Sequence, residues 1–184
     1  MNRFLIEYRS EVRGNTLAGY AATFDTVADL GPKGYERLAP TAFDAALRSG
    51  EDVKAFLHHD PSKLLGSVQA GNLRLDVDDV GLRFELDLPD VSYAHDAREL
   101  VRAGVLNSMS FGFMPGKDEW STAPDGRQLR THTSVARLLE ISPVSIPAYD
   151  NTSLTLRAYN FDHKPGLPVR LIKAKARLLT LGDK

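Results

Sequence analysis

Apolar and polar positions alternate with a period of two over much of the first two-thirds of the chain, the pattern of half-buried β-strands. In "RFLIEY" the residues Phe4, Ile6 and Tyr8 share a face. "NLRLDV" does the same with Leu73, Leu75 and Val77, and "GLRFELDL" with Leu82, Phe84, Leu86 and Leu88. Asp78, Asp79 and Gly81 separate these last two runs, which predicts a hairpin. "AFLHHD", "SMSFGF" and "RLLEISPVSIPA" add further strands, the last ended by Pro147.

Helical spacing is rarer. "PTAFDAALRSG" offers Thr41 as an N-cap and Gly50 as a stop. "SYAHDARELVRAG" starts at Ser92, stops at Gly104 and places Ala97, Leu100 and Val101 at helical intervals. A third helix is expected from about Val169 to Leu181, with Ile172, Ala176 and Leu179 on its apolar face and Arg170, Lys173 and Arg177 elsewhere. "TVADLGPKGYE" and "YNFDHKPGLP" read as loose segments rich in Gly and Pro. The expected organisation is a domain over residues 1–158, a linker over 159–168 and a basic amphipathic helix over 169–184. The fold class is mainly β with peripheral helices (α+β), a closed or nearly closed β-sheet with a few helices around it.

A chain of 184 residues, 42% of them hydrophobic, can build one substantial core. Its 23 Lys+Arg against 24 Asp+Glu leave a formal charge of −1, so no global field draws it to nucleic acid or to an anionic membrane. No apolar run reaches the roughly 20 residues of a membrane span, and the charged start "MNRFLIEYRSEVRG" is unlike a signal peptide. Cysteine is absent, which removes disulfides, thiolate zinc sites and cysteine nucleophiles.

Three residues on three separate strands are candidates for chemistry. His59 follows the apolar series Val53, Ala55, Leu57 and precedes Asp60-Pro61, a strand mouth where a general base would be useful. On position alone, a partly buried histidine bonded to backbone is the simpler reading. Ser110 lies in "LNSMSFGFMP", and Gly112, with no Cβ, permits close approach of another chain. A serine hydroxyl is a poor nucleophile until an oriented base takes its proton, and a strand serine is the simpler reading. Glu140 is in phase with Ala136 and Leu138, an expensive place for a carboxylate unless it is paired. His58 adjoins His59 but, on a strand, would face the other way. A metal site from His58, Asp60, His95 and His132 matches no known spacing, so neither metal nor cofactor is implied.

The blocks "GYAATFD", "YERLAPTAFDAAL", "FLHHDPSKLLGSV", a "GL…LP" hairpin, "LVRAGVLNSMSFGFMP" and "LLEISPVSIPAYDNT" occur in this order between about Gly19 and Leu156. Together they resemble the prohead (capsid maturation) serine proteases of tailed bacteriophages, a group related to the herpesvirus protease assemblin. The resemblance implies an assemblin-like β-barrel surrounded by helices, and a serine endopeptidase that cuts capsid or scaffold protein, and also itself. It implies His59 as general base, Ser110 as nucleophile and Glu140 as third member. Assemblin has a second histidine in the third place, and His132 in "RTHTS", an expected loop, is the alternative under that arrangement. By the same resemblance, the segment after the acid, at Ala148 and Tyr149, supplies oxyanion donors, although the arginines found there in assemblin are missing from "IPAYD".

The implied partners are the major capsid protein or its scaffolding segment, with a homodimer allowed by analogy to assemblin and no role for nucleic acid or membrane. The implied location is the assembling prohead in the host cytoplasm. A capsid assembly or scaffold component that keeps the fold without turnover is the alternative of a different class.

Overall fold

A computed structural model of the chain describes residues 14–146 and, as backbone, the strand 153–157. The expected N-terminal strand, the linker, the C-terminal helix, Pro147 and the oxyanion candidates Ala148 and Tyr149 lie outside these residues. The described chain is mostly β, with two α-helices.

The first sheet runs in the order β10 (Ser153–Arg157), β1 (Thr16–Thr23), β7 (Gly81–Asp87), β6 (Leu73–Val77), with every pair antiparallel. The predicted hairpin is the β6–β7 pair, in which Val77 faces Leu82. The Asp78 carboxylate closes its turn by accepting the N–H groups of Val80 and Gly81 at 2.8 and 3.2 Å, the local bonding that suits aspartate to turns. Leu82, Phe84 and Leu86, one face of the predicted alternation, are fully buried.

The second sheet has the order β2 (Ala28–Asp29), β3 (Tyr35–Leu38), β9 (Gln128–Val144), β4 (Lys54–Leu57), β5 (Asp60–Ser67), and β8 (Ser108–Thr122) also pairs with β9. The long β9 is its spine. β3 runs parallel to β9 at 129–132, β4 runs parallel to it at 140–141, and β8 lies antiparallel along almost its whole length. Neither sheet closes into a barrel among the described residues, so the expected closed sheet is not observed there.

One apolar cluster draws on both sheets: Leu17, Leu73, Phe84 and Leu86 from the first, Leu38, Leu65, Met109 and Ile141 from the second. Each such side chain, fully buried, contributes about 1.5–3 kcal/mol. α2 (Ser92–Arg102) packs Ala94, Ala97 and Val101 on this core and stops before Gly104, whose φ of +71° is the left-handed conformation that ends helices.

α1 (Asp44–Arg48) is shorter than predicted, and Thr41 does not cap it. The Thr41 hydroxyl points instead to the carbonyl of Thr133, 3.4 Å away. The segment expected to be loose contains β2, a short 3-10 turn at Gly31–Lys33 and β3, held by pairing with one another and with β9.

The expected loop around His132 is also strand. β9 begins at Gln128, well before the predicted start, and His132 is 1% exposed. Polar residues fill this stretch, so no apolar alternation announces it. His132 is tolerated inside because Asp118 and Glu36 bond its two ring nitrogens, the first at 2.6 Å to Nδ1.

Candidate active site

The site begins with a hairpin. Leu57 pairs with Asp60, so β4 and β5 are joined by two residues, His58 and His59, with φ of +55° and +59°. Positive φ at both central positions is the pattern of a type I′ turn, which usually selects Asn-Gly. Histidine is among the few other residues seen there with any frequency.

This corrects the expectation that the pair continues the strand. Val53, Ala55 and Leu57 are buried as predicted, but the chain turns after Leu57, and Asp60-Pro61 begins β5. The His59 side chain therefore leaves the apolar face and is 46% exposed. Consecutive left-handed residues store strain of about 1–3 kcal/mol each, which the surroundings must hold.

β9 does the holding. The backbone N–H of His58 donates to the carbonyl of Pro143 at 3.0 Å. The backbone N–H of His59 donates to Ser142 Oγ at 3.3 Å, and the His59 ring places Nδ1 2.7 Å from Glu140 Oε1. The other carboxylate oxygen, Oε2, accepts the Ser142 hydroxyl at 2.5 Å. Parallel pairing of β4 with β9, Ala55 beside Ile141, carries the turn to this part of the spine.

The β8–β9 ladder supplies the serine. Ser110 faces Ser142 and Gly112 faces Glu140, with no bulge between these two pairs. Opposed residues of an antiparallel ladder share a face, so Ser110, Gly112, Glu140 and Ser142 lie on one side, while Met109, Phe111 and Ile141 enter the core on the other. Ser110 is diagonal to Glu140, a relation that places Cα atoms about 7–8 Å apart. Ser110 is 7% exposed, the Glu140 side chain 12%. His59 and Glu140 are bonded directly; Ser110 and His59 are not hydrogen-bonded to each other.

Glu140 was expected in phase with Leu138. A β-bulge between the 112/140 and 113/138 pairs breaks that phase. It leaves Leu139 exposed, returns Leu138 to the core and turns Glu140 to the Gly112 side. Gly112 also has a role other than expected: an added Cβ would lie 2.7 Å from Glu140 Oε1, so the missing side chain makes room for the carboxylate.

His132 occupies a different part of β9 and belongs to another network, with Asp118, Glu36 and, through Asp118, Arg130 at 2.6 Å. His95 pairs with Asp90 at 2.8 Å. Among the described residues no group of three or more acidic or histidine side chains is arranged to hold a metal. Ser142 was overlooked in the sequence; its signal was the i+2 spacing from Glu140, which on a strand means a shared face.

A family model described as caudovirus prohead serine protease matches residues 5–165. The chain belongs to that family. A prohead serine protease is a peptidase of bacteriophage capsid maturation, with a capsid or scaffold protein as substrate, acting in the assembling prohead of the host cell. No curated protein matches the chain. Among the described residues no helix of this prohead protease is long and apolar enough to cross a membrane.

Proposed function

We propose that this prohead protease cleaves capsid or scaffold protein through a Ser110–His59–Glu140 triad. The observation that carries the reading is the 2.7 Å contact between His59 Nδ1 and Glu140 Oε1, on the face of the ladder that also bears Ser110. An ionised carboxylate only accepts hydrogen bonds, so Nδ1 carries the proton and Nε2 keeps its lone pair. That is the tautomer a general base needs.

In this mechanism Ser110 Oγ attacks the scissile carbonyl as His59 Nε2 takes its proton, and Glu140 stabilises the resulting imidazolium. His59 then gives the proton to the leaving amine, and a water activated by the same ring hydrolyses the acyl-enzyme. Bonds between nucleophile and base often tighten only in the complex with substrate, which accommodates the absent Ser110–His59 bond. The oxyanion is assigned to backbone N–H groups at Ala148 and Tyr149, each worth about 2.7–4 kcal/mol in the barrier. The chain is also assigned self-cleavage, in the segment 159–168.

The test is co-expression of the Ser110→Ala chain with its capsid protein. Cleavage stops while the variant remains folded. Unchanged processing would overturn the proposal and favour a scaffold role.

A further inference from the structure

Ser142 is fully buried, and its hydroxyl meets two different parts of the site. It donates to Glu140 Oε2 at 2.5 Å and accepts the His59 backbone N–H at 3.3 Å. A buried hydroxyl must find a partner, and one backbone carbonyl would suffice. This one joins the carboxylate to the strained turn that carries the ring.

We propose that Ser142 is a positioning residue of the proteolytic site, a clamp that fixes the Glu140 carboxylate and the His58–His59 turn in one geometry. The inference rests on the triad reading above. Glu140 needs its plane fixed if Oε1 is to face Nδ1, and a bond to Oε2 removes the rotation that would carry Oε1 away. The ring needs its own backbone fixed, because both turn residues occupy a sparsely populated conformation. Pro143 contributes only its carbonyl, to His58, since proline has no N–H. The hydroxyl is the link between carboxylate and His59 backbone.

The expected effect follows the pattern of outer groups that orient a histidine, whose loss in metal sites typically costs about 10- to 100-fold. Ser142→Ala lowers kcat by about that factor with little change in KM, and Ser142→Thr, which keeps the hydroxyl, recovers most of the loss. In a Glu140→Gln background, Ser142→Ala costs little more, because the clamp no longer has its carboxylate to hold. Ring-nitrogen NMR of the full-length Ser110→Ala chain, labelled at histidine, shows the Nδ1–H tautomer at His59; adding Ser142→Ala mixes the tautomers.

Equal losses in both backgrounds, or an unchanged His59 tautomer, overturn the clamp. The NMR arm needs no turnover and does not depend on the threonine methyl fitting the site. A wild-type level of processing by Ser110→Ala would instead overturn the triad and leave the tautomer result to decide the clamp separately.

Discussion

Gly112 and Glu140 face one another across the β8–β9 ladder, and a methyl group on the first would come within 2.7 Å of a carboxylate oxygen of the second. The atom it would strike is Oε1, the partner of His59. Gly112→Ala therefore pushes the carboxylate off the imidazole. A misplacement of about 1 Å can cost on the order of 100-fold in rate, whereas the fold loses little, because the atom that must move is the end of a flexible side chain. Cleavage assays beside urea unfolding test this. Activity close to wild type in the folded variant would refute it.

His58 shares the strained turn but has an exposed side chain and no part in the proposed chemistry. Asparagine tolerates the left-handed region better than most residues. His58→Asn is expected to keep the cleavage rate and to unfold at or above the wild-type melting temperature. A marked loss of activity would show that His58, and not the turn shape alone, matters.

His132 gives the fold a dependence on alkaline pH. Burial opposes its charge, but hydrogen bonds with Glu36 and Asp118 outweigh burial and raise its pKa above the ordinary value. A group raised in the folded state contributes stability that is full below its unfolded pKa, about 6.5, and that disappears as pH rises through the folded value. Unfolding midpoints of the wild type should fall as pH climbs above about 6.5, while His132→Gln lacks this slope. The substitution also removes the ring that Asp118 and Glu36 bond from either side, and loss of one partner from a buried ionic network costs about 3–5 kcal/mol. Parallel slopes for the two proteins would contradict the assignment.

Acid stability falls to the carboxylates. Burial works against the Asp52 charge, but the Gln69 N–H, Lys54 and the Ser67 hydroxyl together hold its pKa at about 2. Asp118 is also lowered, Arg130 and His132 outweighing its burial. A lowered carboxylate contributes stability above its unfolded pKa, about 3.9, and loses it as pH falls through the folded value. The wild type should thus lose stability between about pH 4 and 2. Asp52→Asn should be less stable near neutrality, by less than the full worth of the shift because solvent screens the site, and show a shallower acid limb. Denaturant titrations at pH 7 and pH 3 measure both, and an acid limb of wild-type steepness would count against it.

The sequence by itself determined the strands whose burial alternates cleanly. Leu82, Phe84 and Leu86 could face only the core, because period-two alternation on a half-buried strand leaves one apolar side. It also marked α2 through helical spacing and a left-handed glycine, and the ordered motif blocks pointed to the family that the match over residues 5–165 shows. Local bonding preferences decide these features, so a single chain segment carries them.

Tertiary structure decided the rest. Alternation places His59 on a strand face because it cannot foresee that two histidines take positive φ; Pro143, Ser142 and Glu140, more than 80 positions along the chain, hold them there. Glu140 changed phase through a bulge set by its pairing with β8, and His132 entered the core because Glu36 and Asp118 arrive from two other strands. In each case the deciding free energy is a hydrogen bond or ion pair between residues distant in sequence, which local periodicity does not encode.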